Sequence, residues 1–154
     1  MNAVITKIKE ILEGLGILVI LDEDPNKLFV AYELEGGQEF ALMMTYSPEA
    51  HMMFIVADVP VEIAPEKEEE ALLSAAYINQ ILKVGSSTYW QEINRIVFKF
   101  YIGIDSSDDE YNLDMFMYCY YEAIDLVRRF YPILDLVGKG AIPPEDIVAM
   151  ESDD

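Results

Sequence analysis

The chain offers few side chains that could take part in catalysis. His51 is the only histidine and Cys119 the only cysteine among 154 residues. A catalytic triad, a histidine pair and a histidine-rich metal site are therefore excluded, and at most one couple of His51 with an acid or with Cys119 remains. The aromatic neighbours of Cys119 would raise the pKa of its thiol rather than lower it. The sequence predicts a histidine at a turn or strand edge, a buried cysteine and no catalytic residues.

Two further segments contain the residue types of ligand sites. The acidic run Asp105–Glu110 could offer carboxylates to calcium, but Glu110 stands where an EF-hand loop needs glycine and Phe116 where it needs the closing glutamate. The segment 138–140 reads Gly-Lys-Gly and lacks the upstream glycine and the Ser/Thr of a P-loop. We expect a helix-capping loop and a helix end at these places, with no metal and no cofactor.

The charge of the chain limits its partners. It has 29 Asp and Glu against 10 Lys and Arg, a formal net charge of -19, and would repel DNA, RNA and anionic lipid. The longest apolar run, Leu15 to Leu21, is far shorter than the about 20 residues that span a bilayer. We expect no nucleic acid and no membrane as a partner. The acids lie mostly at predicted loops and helix starts, which indicates either solvated surface or a surface for a basic protein.

The same sequence features indicate a compartment and a size class. A single cysteine cannot form an intramolecular disulfide, which favours a reducing compartment. The first ten residues are amphipathic and carry Glu10 where a signal peptide would begin its unbroken apolar region. A length of 154 residues with 53% apolar content suits one domain with one core. We expect a cytoplasmic protein with a single domain at 1–138 and an acidic, partly disordered C-terminal tail at 139–154.

Hydrophobic periodicity predicts an α+β fold. The expected helices are Val4–Leu15, Glu66–Lys83 and Asn112–Leu136, with a kink or restart at Pro132 and a short turn of helix at Glu145–Ala149. The expected strands are Ile17–Leu21, Leu28–Leu34, Glu39–Tyr46, Met52–Val59, Thr88–Ile93 and Ile96–Ile104. Short connections join the first strands into a meander. The predicted architecture is an antiparallel sheet with helices packed on one face, in the order α-β(3-4)-α-β-β-α.

Alternation within the strands assigns the two faces of this sheet. Glu33, Thr45 and Asp58 mark the outer face of their strands, because charged and polar side chains favour solvent. The inner face then holds Phe40, Leu42, Met44, Tyr46, Met53, Ile55, Ala57 and Val59, which the long helix Asn112–Leu136 is expected to cover. The outer face keeps Phe29, Met43, Met52, Phe54 and Val56, and is unusually apolar for a face in water. These five residues are the candidate partner or dimer surface.

The order of elements resembles the YbjN-like family of bacterial proteins, often labelled sensory transduction regulators, whose fold is similar to the type III secretion chaperones. The residues that carry the resemblance are Trp90, the strand Ile96–Tyr101, the acidic break after it, and the helix that runs into Phe130-Tyr131-Pro132-Ile133-Leu134. The match covers roughly residues 3 to 137. It implies a non-enzymatic regulator or chaperone-like binding module, with a homodimer as a further expectation.

Together these observations favour a non-enzymatic protein-interaction module that pairs with itself or with a protein client. The motivation is the apolar outer face and the lack of a catalytic motif. The alternative is a small-molecule-binding domain, or an unrecognised enzyme that uses carboxylates in a cleft between helix and sheet. A deep, polar-lined pocket would favour this alternative.

Overall fold

A six-stranded antiparallel sheet organises the structure, a computed structural model that describes residues 2–104 and 109–152. Its strands are β1 (Val19–Leu21), β2 (Lys27–Glu33), β3 (Glu39–Ser47), β4 (Met52–Asp58), β5 (Ser86–Trp90) and β6 (Arg95–Gly103). They lie in the order β1-β2-β3-β4-β6-β5, so the second hairpin adds to the sheet through its later strand. The strands β1 and β5 form the two edges.

Helices cover one face of this sheet. They are α1 (Ala3–Gly14), α2 (Glu68–Ile81), α3 (Asp109–Gly138) and α4 (Ile147–Ser152), with short 3-10 helices at Pro65–Lys67 and Pro144–Asp146. The buried residues of the helices and the inner-face residues of the strands belong to one hydrophobic cluster. The predicted α+β class, with an antiparallel sheet and helices on one face, is confirmed. Among the described residues, none of these helices is long and apolar enough to cross a membrane.

The strand register confirms the predicted faces. All eight residues expected on the inner face are buried, from Tyr46 at 8% exposure to Met44 at 0%. Opposite them lie the buried residues of α3, including Tyr120, Val127 and Phe130. On α3, Leu126 and Ile133 are buried, whereas Leu113 and Met117 are only half-buried.

The helix α3 continues through Pro132, where the sequence suggested a kink or a restart. Proline cannot donate to the carbonyl of Arg128, four residues earlier, so this carbonyl lacks its usual helix donor. Pro132 is exposed, and water can therefore reach the position. Because α3 buries apolar residues both before and after Pro132, packing keeps the two halves in one helix.

Residues 139–152 follow α3 and fold back onto the core. The amide of Ala141 bonds the carbonyl of Leu136, and the chain then turns back through Pro144–Asp146 into α4. Ile147 is fully buried and belongs to the main core, and Met150 packs against that core. The last two residues, Asp153 and Asp154, lie outside the described part. The pattern of 142–150 was too short to show this packing by periodicity.

Candidate interaction surface

The five predicted outer-face residues do share one face of the sheet. Phe29 pairs with Met43, and Met43 pairs with Val56, so three neighbouring strands place them in one row. Phe54 is two residues before Val56 on β4 and pairs with Thr45. Met52 is the first residue of β4 and pairs with Ser47. None of the five belongs to the hydrophobic cluster that the helices cover.

These five side chains are not equally accessible. Phe29, Met43, Met52 and Phe54 are half-buried, whereas Val56 is 8% exposed. Val56 lies on the middle strand of this row, between Met43 on β3 and Lys99 on β6. It therefore forms the floor of the surface, and a partner would mainly contact the side chains around it.

The structure adds two residues that the sequence reasoning did not select. Ile20 pairs with Phe29 and extends the apolar row to the edge strand, with 47% of its surface exposed. Tyr101 pairs with Phe54, is 56% exposed and packs edge-to-face on the Phe54 ring, with 5.1 Å between ring centroids. Alternation along β6 places Tyr101 on the outer face, and the pairing of β4 with β6 brings it beside Phe54.

The charge of this surface differs from that of the whole chain. Lys27 and Lys99 belong to the row of Phe29, Met43 and Val56 and the neighbouring rows through Phe54 and Met52. Among the described residues, these rows contain no carboxylate. In a chain of 29 acids and 10 bases, such a patch is unusual. The ammonium of Lys99 lies 5.1 Å from the centroid of the Trp90 ring, in a cation–π arrangement that fixes it beside the apolar row.

A charged cluster bounds the apolar surface on its other side. Arg95 Nη1 donates to Asp58 Oδ2 at 2.5 Å, and Arg95 Nη2 lies 3.7 Å from Glu62 Oε1. The other carboxylate oxygen of Asp58 accepts from the backbone amide of Ala41 at 3.0 Å. Both carboxylate oxygens of Asp58 are therefore hydrogen-bonded, and Asp58 links its own strand β4 to β3 and β6.

The two residues considered for catalysis, His51 and Cys119, lie on different elements. His51 is exposed in the β3–β4 turn, where it adopts φ 52° and its carbonyl accepts from Ile104. Cys119 is buried in α3, and burial, with a smaller contribution from Glu122, raises the pKa of its thiol. Most of the acidic run, at positions 105–108, lies outside the described residues. Within the described ranges, no group of three or more His, Cys, Asp or Glu side chains could hold a metal ion.

A polar groove lies between the β2–β3 turn and α3. It encloses about 590 Å³ and is lined by Glu33, Leu34, Glu35, Gly36, Gln38, Arg128, Tyr131 and Pro132. Two carboxylates therefore face the same space as one guanidinium. The side-chain oxygen of Gln38 is buried and has no hydrogen-bond partner among the described residues. The groove is wide enough for a small polar molecule.

Comparison with known proteins identifies the fold. No family model matches the chain, and no curated protein matches its sequence. Among solved structures it is similar to YbjN from E. coli, described as a putative transcription regulator, with a TM-score of 0.57 and 13% identical residues. The match covers 80% of this chain and 87% of that chain. The chain therefore has a YbjN-like α+β fold.

Proposed function

We propose that this protein is a non-enzymatic interaction module with a regulatory or chaperone-like role, and that the outer face of its sheet binds a protein partner. The observation that carries the proposal is the row Ile20, Phe29, Met43 and Val56, continued by Phe54 and Tyr101. Burial of such an apolar sheet face against a partner lowers the free energy and so favours binding.

The charges of the face indicate the chemistry of this partner. Lys27 and Lys99 flank the apolar row, and no carboxylate lies between them on the rows through Phe29 and Phe54. A complementary partner surface presents apolar side chains with carboxylates around them, such as one side of an acidic amphipathic helix. The rest of this acidic chain repels such a partner, so the face is the place where it can dock.

The likeness to YbjN supports a regulatory role only through its description as a putative transcription regulator. The net charge of -19 disfavours direct contact with DNA, because the chain would have to approach a polyanion. A regulator of this composition acts more readily on another protein. Secretion chaperones, whose fold the sequence resembles, are likewise protein-binding modules.

Binding of an apolar anion offers the first test of the outer face. Anilinonaphthalene sulfonate is a suitable probe, because it carries an aromatic body and one negative charge. We expect Met43→Asp and Phe54→Asp to abolish its binding to the native protein, and Lys99→Glu to weaken it. Leu72→Asp is the matched control: it adds the same charge at a leucine on α2 that is 53% exposed, and leaves the binding unchanged.

Identification of the partner completes this test. Proteins that co-purify with the wild-type chain are compared with those that co-purify with Met43→Asp, Phe54→Asp and Leu72→Asp. The proposal predicts a partner that the first two variants lose and the control retains. Equal recovery with all three variants, each shown to be folded by circular dichroism, would rule out the outer face as its binding site.

A second candidate function is binding of a small polar molecule in the groove between Glu33 and Arg128. The groove favours it because it combines opposite charges. Free amino acids, which carry an ammonium and a carboxylate, are the first probes. A thermal shift with them that Arg128→Ala removes and Arg129→Ala retains would support this function, and no shift with any of them would count against it.

A further inference from the structure

Methionine occurs in two doublets on the neighbouring strands β3 and β4. Met43-Met44 lies within β3, and Met52-Met53 begins β4. Because side chains alternate along a strand, each doublet places one thioether on the outer face and one in the core. Met44 and Met53 are fully buried, whereas Met43 and Met52 are half-buried and lie outside the hydrophobic cluster that the helices cover. Each outer methionine therefore has a buried methionine beside it in sequence, which serves as its reference.

The other sulfur atoms of the described residues belong to side chains within or against the core. Three more methionines are half-buried and pack against it: Met115, Met117 and Met150. Cys119 is buried, and the raised pKa of its thiol keeps it protonated and weakly reactive. Met1 lies outside the described residues. Among the described methionines, Met43 and Met52 are thus the ones whose side chains can change in polarity without disturbing the core.

The neighbours of Met52 leave its side chain open to solvent. Met52 pairs with Ser47 on β3 and with Gly103 on β6. A Cβ atom at Gly103 would meet no described atom within 4 Å, so a small oxidant can approach from that side. Met43 instead has larger side chains opposite it on both neighbouring strands. We expect the Met52 sulfur to react faster than the Met43 sulfur.

We propose that Met43 and Met52 are sites of reversible oxidation to methionine sulfoxide, and that this modification releases the partner from the outer face. Hydrogen peroxide transfers one oxygen atom to the thioether sulfur, which is oxidised to the sulfoxide while the peroxide is reduced to water. Two thiols reverse the step, because they take up the oxygen as water and become a disulfide, as in the reaction of methionine sulfoxide reductases. The release rests on the proposed function of the outer face, whereas the oxidation does not.

Oxidation changes the property that makes the outer face a binding surface. A sulfoxide is polar, so its burial against an apolar partner is unfavourable unless the partner supplies a hydrogen-bond donor. Met43 lies in the apolar row between Phe29 and Val56, and Met52 lies two residues before Phe54 at the start of β4. Both ends of this apolar surface therefore become polar while the core is unchanged.

Limited exposure of the native full chain to hydrogen peroxide tests the sites. Peptide mass spectrometry follows the gain of one oxygen atom at each methionine. We expect Met52 and then Met43 to be oxidised before Met44 and Met53, and before the three methionines that pack against the core. In urea, where the fold is lost, the two members of each doublet should react at similar rates. Oxidation of Met43 and Met52 in the native protein no faster than that of the other described methionines overturns the proposal.

Anilinonaphthalene sulfonate measures the effect on the outer face. The oxidised chain should bind this probe about tenfold more weakly than the untreated chain, a loss of about 1.4 kcal/mol, and methionine sulfoxide reductases should restore the binding. Met43→Leu with Met52→Leu keeps the face apolar but cannot be oxidised there, so this double variant should retain binding after peroxide. Met115→Leu with Met117→Leu is the matched control and should lose binding as the wild type does. An equal loss in both double variants overturns the proposal.

Failure of the modification and failure of the proposed function give different results. If the untreated chain does not bind the probe, or if Met43→Asp leaves its binding intact, the proposed function and the release fail together, and only the oxidation sites stand. If the untreated chain binds the probe at the outer face and oxidation of Met43 and Met52 leaves this binding unchanged, the proposed function stands and the oxidative release is overturned.

Discussion

The carboxamide of Asn79 bonds the amide and the carbonyl of Ser87, and in this way takes the place of a neighbouring strand at the β5 edge. Ser87 is 5% exposed, so water cannot easily replace these bonds. The hydroxyl of Ser87 continues the network by donating to the carbonyl of Ala75 at 2.8 Å. One side chain of α2 therefore both closes an edge of the sheet and fixes the helix against it.

Asn79→Ala tests this closure. Loss of the carboxamide leaves the two buried groups of Ser87 unbonded, so we expect the free energy of unfolding to fall by about 1–3 kcal/mol. Urea denaturation measures this change, and hydrogen exchange should be faster at the Ser87 amide. Gln80→Ala is the matched control, because Gln80 is exposed on the next position of α2. Equal effects of the two substitutions would show that the network does not stabilise the domain.

The hydroxyls of Tyr32 and Tyr120 bond each other between β2 and α3, and their burial is unequal. Tyr120 is fully buried, whereas Tyr32 is half-buried. Tyr32→Phe would leave the Tyr120 hydroxyl without a partner, at a cost of about 1–3 kcal/mol. Tyr120→Phe leaves Tyr32 able to reach water, and should cost only about 0.5–1.5 kcal/mol.

A double-mutant cycle in urea measures this asymmetry. The double variant removes both hydroxyls and should be no less stable than Tyr32→Phe alone, because no buried hydroxyl is then left unbonded. If Tyr120→Phe proved the more damaging single change, the larger role would belong to the packing around the Tyr120 ring.

The same pair makes stability sensitive to alkaline pH. Burial, followed by the hydrogen bond with Tyr32, raises the pKa of Tyr120 above its ordinary value of 10.0. A tyrosine in the unfolded chain ionises near that value while Tyr120 in the folded protein stays neutral. Its contribution to stability is therefore complete below about pH 10 and is lost as pH rises further. We expect the free energy of unfolding to fall with pH in that range.

Tyr120→Phe should make this fall less steep, because the variant has lost the group that resists ionisation. Tyr118→Phe, at an exposed position of α3, serves as the control and should retain the wild-type slope. Denaturant titrations at several pH values above 9 give both slopes. Parallel slopes for wild type and Tyr120→Phe would contradict the prediction.

The strands show why the sequence could predict the faces of the sheet but not its edges. A period of two along β3 and β4 assigns Met43 and Phe54 to the outer face whatever the strand order. The closure at Ser87 depends instead on which strands lie at the edges. That order places β6 between β4 and β5, and it is set by contacts distant in sequence.

The polar groove, like the edges of the sheet, depends on contacts between residues that are distant in sequence. Glu33 and Arg128 are far apart in the chain and face one space only because α3 crosses the end of the β2–β3 hairpin. No local pattern marks such a pair. The face of Tyr101 can be predicted from alternation along β6. Its ring contact with Phe54 cannot, because it requires the pairing of β4 with β6.

The C-terminal segment provides the last prediction, because its acidic composition suggested disorder whereas Ile147 is fully buried. Ile147→Ala removes a buried side chain from a site between α4 and the core, and should lower the free energy of unfolding by about 2–5 kcal/mol. Val148→Ala is not a suitable control, since Val148 has interactions of its own. Glu145→Ala, at an exposed position of the same segment, should change stability by less than about 0.5 kcal/mol. Urea denaturation of both variants decides the matter: if Ile147→Ala is as stable as Glu145→Ala, the segment does not belong to the core in solution.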